Sequence, residues 1–203
     1  MTATDAASRR SRAKSDRRSQ LIAAAEHLIA EHGYLAVRLE DIGAAVGVSG
    51  PAIYRHFPNK EALLTELLVG ISTRLLTGAS TVVEKTQDPD AALADLIDFH
   101  LDFAFGEADL IRIQDRDLNS LPATAKRQVR RAQRQYVEIW VGVLRRRRSN
   151  LSESSARVMA HATFGLLNST AHSIKPGSTK TAEATSRTVL RAMTVAALTS
   201  AES

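Results

Sequence analysis

Residues 39–58, LEDIGAAVGVSGPAIYRHFP, decide the fold that this sequence predicts. The first half of the stretch places three apolar residues on one face of a short helix: Leu39, Ile42 and Val46. Gly47 interrupts that helix, and a second helix begins near Pro51, whose missing N–H has no intrahelical acceptor at the first helical position. Pro58 ends the second helix. Neither helix is long enough to be stable alone, so both require a larger helix as a packing partner.

That packing partner comes earlier in the chain. From about Ser19 onward, apolar residues recur at three- and four-residue spacing: Leu21, Ile22, Ala25, Leu28 and Ile29. Gly33 supplies the left-handed residue that commonly ends a helix. Two short helices joined by a glycine-containing turn and supported by a longer helix form a helix-turn-helix unit. Ile53 and Phe57 are predicted to face its core. The opposite, solvated side of the second short helix then carries Ala52, Tyr54, Arg55 and His56.

The rest of the chain is also predicted to be helical. A long helix starts after Asn59, a good N-cap, and the segment EKTQDPD ends it. A helix closed by Gly106, a shorter helix and a long helix opened by Pro122 follow. The last two helices are predicted at roughly 152–173 and 179–200, on either side of the turn IKPGS. Because alternating β-branched runs are almost absent, the sequence predicts an all-α fold.

Composition excludes several kinds of protein. The 203 residues contain no cysteine, which excludes disulfides, a thiol nucleophile and cysteine-based metal sites. Neither a signal-peptide pattern nor a run of about 18 apolar residues is present, so we expect a cytoplasmic protein without a membrane span. The net charge of +5 suits a polyanionic partner. This charge is segregated, because 1–20 and 126–148 are rich in basic residues and 88–117 is rich in acidic ones.

The combination LEDIGAAVGVSGPAIYRHFPNKEALL resembles the DNA-binding motif of the TetR family of bacterial one-component transcription regulators. The resemblance covers about residues 15–65 and falls on positions of the family pattern: Ile42, Gly47, Val48, Tyr54, Phe57, Lys60, Glu61 and Leu63. It implies an Ω-shaped homodimer that joins an N-terminal three-helix DNA-binding module to a larger C-terminal helical domain for ligand binding and dimerisation. The expected parts are a flexible basic arm (1–14), a helix-turn-helix DNA-binding domain (15–62) and an effector-binding and dimerisation domain (63–203). The resemblance assigns the dimer interface to helices 152–173 and 179–200.

Side chains in and before the motif are candidates for contacts with double-stranded operator DNA. Tyr54, His56 and Lys60 can donate to phosphate oxygens, a role that the resemblance implies for the tyrosine and the lysine. Arg55 matches the acceptors of guanine in the major groove, or contacts another phosphate. The complete predicted set is Arg17, Arg18, Arg38, Ser49, Pro51, Ala52, Tyr54, Arg55, His56 and Lys60.

Some of these candidates have a second interpretation. His56 could merely pack beside Phe57. The arginines of the arm, with Arg17 and Arg18, either follow the DNA backbone or minor groove or form a solubilising tail.

The first short helix departs from the family pattern at its start. Arg38 stands where the family usually has a capping Ser or Thr, so that cap is lost and Arg38 could instead reach a phosphate. Asp41 can still interact with the helix N-terminus. At the second short helix, Pro51 and Ala52 could contact thymine methyl groups.

The acidic segment 88–117 and the basic segment 126–148 also have two interpretations. They are either solvated helix faces that attract each other or parts of an effector site. In the second interpretation the phosphates of an acyl-CoA meet Arg127, Arg130, Arg131 or Arg134, and its acyl chain lies against Phe99, Phe103 and Trp140. A resemblance also suggests it, because IGAAVGVSGPAIYRHF followed by RIQDRDLNSLP is similar to family members associated with acyl-CoA, fatty-acid or branched-chain catabolism.

Catalytic and cofactor motifs are absent from the sequence. His100, His161 and His172 lack the close pairing and the carboxylate partner of a typical metal site, so we interpret them as core or pocket histidines. We therefore predict no enzyme activity, no metal and no cofactor. The predicted function is sequence-specific transcription regulation, with a repressor that a small molecule releases from its operator as the favoured form. The alternatives are a ligand-binding or catalytic helical protein without operator recognition, or a nonspecific architectural DNA binder.

Overall fold

The computed structural model describes residues 3–169 and 179–199, with side chains at residue 12 and from residue 14 onward within these ranges. All regular structure in these ranges is helical, so the predicted all-α fold is confirmed. In chain order the α-helices are α1 (Ala3–His32), α2 (Leu39–Ala45), α3 (Gly50–Ile53), α4 (Lys60–Lys85), α5 (Pro89–Gly106), α6 (Ala108–Asp117), α7 (Ala123–Arg147), α8 (Glu153–Asn168) and α9 (Lys180–Thr199). One turn of 3-10 helix, Leu118–Ser120, lies between α6 and α7.

Helices α1, α2 and α3 form the helix-turn-helix module. Their shared core contains Leu21, Ala25, Ile29, Ile42, Ile53 and Phe57. Gly33 ends α1 with a φ of +91°, and its N–H donates to the carbonyl of Ile29 at 2.9 Å. Gly47 turns the chain between α2 and α3 with a φ of +70°. Both glycines occupy the left-handed region that a Cβ disfavours, so they end the two helices as predicted.

Helix α1 begins earlier than the sequence analysis predicted. The chain is helical from Ala3, whereas 1–14 was expected to be a flexible arm. The segment from Ala3 to His32 contains neither glycine nor proline and is rich in Ala, Arg and Lys, which favour helix. A helix anchored by its buried second half can therefore extend through the basic segment, because each added residue completes one more backbone hydrogen bond.

Helix α4 connects the module to the rest of the chain. Its first half packs on the module core through Leu63, Leu64, Leu67, Leu68 and Ile71. The same core includes Leu110 and Ile113 of α6 and Ala125 and Val129 of α7. The predicted boundary at residue 62 therefore falls inside the first turn of a helix that both parts share, and the module packs directly on α6.

Helix α4 is also long and apolar enough to cross a membrane by length and composition, although we expected no such segment from the sequence. Its leucines have another role in this structure, because Leu63, Leu64 and Leu68 are fully buried among the other helices. A buried core helix meets the criterion for a membrane span because core helices and spanning helices must both be apolar over many turns.

The C-terminal helices surround a second core. Trp140 lies in it with no exposed surface, together with Leu96, Ile97, Leu101, Val143 and Leu144. Helices α8 and α9 pack against α7 and α5 and correspond to the predicted helices at 152–173 and 179–200. Residues 170–173 and the turn IKPGS lie outside the described residues.

Several of the acidic side chains of 88–117 form ion pairs. Asp90 pairs with Arg147 of the basic segment at 2.5 Å, which supports attraction between the two helix faces. Asp98 pairs with Arg191 of α9 at 2.8 Å. Such partly exposed pairs each contribute about 0–1 kcal/mol, so they orient helices that apolar burial holds together.

The helix-turn-helix turn depends on the conformation of Gly47. We expect Gly47→Ala to lower the free energy of unfolding by about 1–2 kcal/mol, because a Cβ is disfavoured at positive φ. The matched control is Gly142→Ala, in an exposed position of α7 where an added Cβ has no atom within 4 Å. This control should raise the stability by about 0.5–1 kcal/mol. Urea denaturation of both variants measures the two changes, and equal effects would contradict the role of Gly47.

Candidate DNA-binding surface and ligand cavity

The second short helix and the residues that flank it present one exposed surface. Ile53 and Phe57 are buried, which turns the intervening side chains outward. We call the following set the α3 surface: Arg38, Ser49, Pro51, Tyr54 and Arg55 are exposed, and Ala52 is half-buried beside them. This surface has polar, cationic and small apolar side chains, which are the types that contact phosphates and base edges.

Tyr54 is bonded to a residue of α2. Its hydroxyl donates to Oε1 of Glu40 at 2.5 Å, and 48% of the residue remains exposed. This hydrogen bond lowers the pKa of Glu40 and raises the pKa of Tyr54. The tyrosine thus links α2 to α3, and its hydroxyl must exchange the carboxylate for a phosphate oxygen if it is to donate to DNA.

Arg17 and Arg18 point toward the module. Arg17 donates to the carbonyl of Val46 at 2.9 Å, at the C-terminal end of α2. Arg18 pairs with Glu66 of α4, donates to the carbonyl of His56 at 2.7 Å and lies 4.4 Å above the ring of Phe57. These contacts hold the second half of α1 against α2, α3 and α4. The structure therefore gives both arginines a role inside the chain that the sequence analysis did not predict.

Lys60 likewise has partners within the chain. Its ammonium donates to the carbonyls of Tyr34 at 2.7 Å and Val37 at 2.8 Å and lies 4.4 Å from the ring centre of Tyr34. It thereby stabilises the turn between α1 and α2. Among the ten predicted DNA-binding residues, Lys60 is the one most completely engaged by backbone acceptors.

His56 is half-buried beside the α3 surface. Burial, together with the nearby cations Arg18, Lys14 and Arg17, lowers its pKa. Its Nδ1 has no hydrogen-bond partner among the described residues. The lowered pKa favours the neutral imidazole near pH 7, and His56 directly precedes the buried Phe57 in the chain.

Asp41 interacts with the N-terminus of α2, as the sequence analysis considered possible. The backbone N–H of Arg38 donates to Oδ2 of Asp41 at 2.9 Å, so the carboxylate satisfies one N–H at the helix start. The side chain of Arg38 stays exposed on the α3 surface.

The C-terminal part contains a cavity of about 300 Å³ between α4, α5, α6, α7 and α8. Its described wall consists of Ser72, Leu75, His100, Phe103, Ile111, Gln114, Ala132, Gln133, Tyr136, Val137, His161, Phe164 and Asn168. Phe103 is the one predicted effector residue in this wall. Along α7, the residues of the cavity wall alternate with the exposed arginines. The helix periodicity therefore places the wall residues and the arginines on different faces of α7.

The other predicted effector residues lie elsewhere. Arg127, Arg130, Arg131 and Arg134 are on the exposed face of α7 and do not belong to the cavity wall. Trp140 is buried in the second core, and Phe99 packs against Gly78 of α4 so closely that a Cβ there would come within 2.3 Å of its ring. The proposed acyl channel of Phe99, Phe103 and Trp140 is therefore not assembled in this structure.

A buried hydrogen-bonded chain lies in the cavity wall. His100 Nδ1 is 2.8 Å from the hydroxyl of Tyr136, and its Nε2 is 3.0 Å from Oδ1 of Asn168. The ring of His100 stacks on Phe164 with centroids 5.3 Å apart. Burial depresses the pKa of His100 from 6.5 to about 4, so the ring is neutral near pH 7. The sequence suggested a core or pocket histidine here but gave no sign of its partners Tyr136 and Asn168.

Helix α6 contacts both the cavity and the DNA-binding module. Ile111 and Gln114 line the cavity, and Arg116, close along the same helix, donates to the carbonyls of Ile29 and Ala30 at the end of α1. Its guanidinium is also paired with Asp117 at 3.0 Å. A displacement of α6 by a ligand would therefore act directly on the C-terminal end of α1.

Within residues 3–169 and 179–199, no group of three or more His, Asp or Glu side chains is arranged to hold a metal ion. His100 and His161 both line the cavity, while His172 lies outside the described residues.

An exposed helix-turn-helix surface, joined through a shared helix to a cavity-bearing helical domain, defines a class of helix-turn-helix DNA-binding proteins with a second, regulatory domain. Residues 21–67 match the family model described as bacterial regulatory proteins, tetR family, and residues 86–195 match the model described as tetracyclin repressor-like, C-terminal domain. The chain belongs to the TetR family of bacterial regulatory proteins.

Curated relatives of the chain are named as transcription regulators. It is 28% identical over 132 residues to the HTH-type transcriptional repressor KstR2 of Rhodococcus jostii (strain RHA1), a match that covers 64% of this chain and 65% of that protein. It is 32% identical over 130 residues to the HTH-type transcriptional regulator CymR of Pseudomonas putida, covering 62% and 64%. The chain thus spans just under two thirds of the length of these relatives.

Solved structures share the fold. The ketosteroid transcriptional regulator KstR2 of Mycobacterium tuberculosis superimposes with a TM-score of 0.77 at 22% identity, over 88% of this chain and 93% of that one. AibR in complex with isovaleryl coenzyme A and operator DNA gives a TM-score of 0.73 at 17% identity, over 87% and 97%. At these identities the similarity establishes the fold, and it extends over both parts of the chain.

The buried histidine makes stability sensitive to acid. Because the folded-state pKa of His100 is about 4 and the ordinary value is 6.5, the unfolded chain binds more protons between these values. The contribution of His100 to the free energy of unfolding, about 3 kcal/mol in total, is fully present above pH 6.5. It is lost as the pH falls toward 4. We expect His100→Gln to flatten the loss of unfolding free energy over this range in urea titrations. Tyr136→Phe, which retains the imidazole, is the control and should keep the slope; an unchanged slope in His100→Gln would refute this assignment.

Proposed function

We propose that this chain is a sequence-specific DNA-binding transcription regulator in the cytoplasm, and that it represses until a small molecule releases it from its operator. The observation that carries the proposal is the α3 surface, where Tyr54 and Arg55 are exposed because Ile53 and Phe57 are buried. The family and the names of the relatives support the same class and supply no support for an enzyme. Repression is the role of the relative KstR2, a transcriptional repressor, and activation is the alternative because another relative, FasR of Mycolicibacterium smegmatis, is a transcriptional activator.

On this proposal, α3 enters the major groove and its neighbours contact the backbone. Arg55 is the exposed cation at the centre of the α3 surface, and its planar fork matches the O6 and N7 acceptors of guanine. Pro51 and Ala52 offer apolar contact to thymine methyl groups. Arg38 and Tyr54 reach phosphates, whereas Arg17, Arg18 and Lys60 mainly hold the module in shape.

Release follows from the contact between α6 and α1. A ligand that favours a shifted position of α6 alters the support that Arg116 gives to the last carbonyls of α1. Two copies of α3 must lie about 34 Å apart to enter successive major grooves, so a change in the angle of each module lowers affinity for DNA. The ligand can change this equilibrium only by its differential affinity for the two arrangements, commonly about 1–3 kcal/mol.

The proposed effector includes an acyl-CoA as one candidate, because the solved AibR structure contains isovaleryl coenzyme A. The exposed arginines of α7, Arg127, Arg130, Arg131 and Arg134, would then meet phosphates outside the cavity, with only the acyl group inside. Loss of acyl-CoA binding in an Arg130→Ala, Arg134→Ala double variant supports this candidate, and unchanged binding removes it.

We further propose that the regulator is a homodimer through α8 and α9. These helices expose Val158 at 69%, Val189 at 50% and Met193 at 50%, beside small residues such as Ala162 and Ala192. Apolar side chains on adjacent helices with small neighbours allow close helix packing against a second copy.

Operator recognition is tested with fluorescence anisotropy on the DNA that flanks the protein's own gene, against random DNA. We expect Arg55→Ala to weaken binding to the flanking DNA by about 1–3 kcal/mol and to bind random DNA nearly as well as before. Tyr54→Phe should weaken both DNAs alike, because it removes a phosphate contact.

The control for this experiment is Arg134→Ala, which removes an exposed arginine of α7 that does not belong to the α3 surface. It should leave both affinities unchanged at fixed salt. If the parent protein binds random DNA as tightly as the flanking DNA, or if Arg55→Ala has no more effect than Arg134→Ala, operator recognition by α3 is wrong.

The dimer is tested by sedimentation equilibrium. We expect the double variant Val158→Glu, Met193→Glu to shift the mass from two chains to one, because two buried carboxylates without partners oppose association. Leu35→Glu is the matched control, since Leu35 is 84% exposed but lies in the turn after α1. A dimer that survives the double variant, or one that Leu35→Glu disrupts, would place the interface elsewhere.

A further inference from the structure

The described part of the cavity wall carries no acidic side chain, lysine or arginine, although 24% of the residues of the chain are charged. Its two histidines are His100, which is fully enclosed and neutral, and His161, which is exposed at the rim. A ligand carboxylate or phosphate inside this wall would lose its hydration without gaining a counter-charge, and such burial is strongly unfavourable.

The polar groups of the wall present acceptors and neutral donors. Asn168 Oδ1 can only accept, so His100 Nε2–H donates to it and His100 Nδ1 accepts the hydroxyl hydrogen of Tyr136. The oxygen of Tyr136 also has Trp140 as a hydrogen-bonding neighbour, and its second lone pair can accept from a ligand N–H or O–H. The amide of Gln133 makes no hydrogen bond to any described residue and faces the same cavity, so it can complete a pair with the ligand.

The remainder of the wall is apolar and partly aromatic. Phe103 and Phe164 flank His100, with ring centroids 5.7 Å and 5.3 Å from it. Leu75, Ile111 and Val137 close the other sides. Aromatic and aliphatic surfaces of this kind suit a planar or alicyclic ring with one polar end.

The volume limits the size of the ligand. A dry cavity of about 150 Å³ holds one benzene molecule. The present cavity of about 300 Å³ therefore suits a molecule of twice that size, with roughly twelve non-hydrogen atoms. A complete acyl-CoA is several times larger and would have to leave most of its atoms outside.

We infer that the cavity binds an uncharged, compact ring compound of roughly twelve non-hydrogen atoms that donates one hydrogen bond to Tyr136. The inference rests on the proposed function for its regulatory meaning, because it names an uncharged ring compound, in place of an acyl-CoA, as the effector of that regulator. The wall itself selects against an ionised version of the same molecule.

Isothermal titration calorimetry on the full chain, without DNA, tests this with a matched pair of probes. β-Naphthamide and β-naphthoate have the same ring and nearly the same shape but differ in charge, and isovaleryl coenzyme A is the third probe. We expect the amide to bind at least about tenfold more tightly than the carboxylate and than the coenzyme A ester. The inference is overturned if the preference for the amide is smaller than this or if either charged probe binds more tightly. It is also overturned if the amide shows no detectable binding at about 1 mM.

Two variants locate the binding site. Tyr136→Phe removes only the hydroxyl, and it should weaken binding of β-naphthamide roughly fivefold while thermal unfolding remains cooperative. Gln128→Ala changes the same helix on its exposed face and should leave that affinity unchanged. If Tyr136→Phe binds the amide as the parent does, or Gln128→Ala weakens it equally, the ligand lies outside this cavity.

The outcome is independent of operator recognition. Ligand binding is measured on the free protein, and DNA binding of the parent is measured separately on the flanking DNA. Amide binding by a protein that fails to recognise that DNA would refute the proposed function and retain the inference. Recognition of that DNA by a protein that does not bind the amide would refute the inference and leave the proposed regulatory function standing.

Discussion

Burial of Ile53 and Phe57 is the constraint on which the rest of this structure depends. Helix α3 spans only Gly50–Ile53, too short to be stable without tertiary contacts. Because these two side chains pack with α1 and α4 in one core, Tyr54 and Arg55 are turned outward. The same core extends to Leu110 and Ile113 of α6, so the helix that packs on α1 also borders the cavity.

Charge in this protein has a different role at each level. On the surface, partly exposed pairs such as Asp98 with Arg191 orient helices without deciding the fold. At the module, Arg18 and Lys60 satisfy backbone carbonyls and pack on aromatic rings, which makes them parts of the scaffold. Inside the cavity, charge is absent from the described wall, and neutral hydrogen-bonding groups take its place.

Sequence reasoning predicted the helices well because their signals are local. Gly33, Gly47 and Asn59 act through their own backbone conformation or through a hydrogen bond to a residue nearby in the chain, such as Ala62 N–H to Asn59. The effector residues have no such local signal. The sequence analysis assigned the arginines of α7 and Trp140 to one effector site, and in the structure the arginines lie on the exposed face of α7 while the tryptophan lies in the core.

By itself, the sequence determined the all-α class, the glycine turn of the helix-turn-helix and the outward face of α3, since short-range periodicity and turn residues encode each of them. Only the tertiary structure decided which cations are available and what lines the cavity. Arg18 meets Glu66 and His100 meets Tyr136 and Asn168 across 48, 36 and 68 residues of chain. Such partners depend on how helices pack against one another, and no local pattern specifies that.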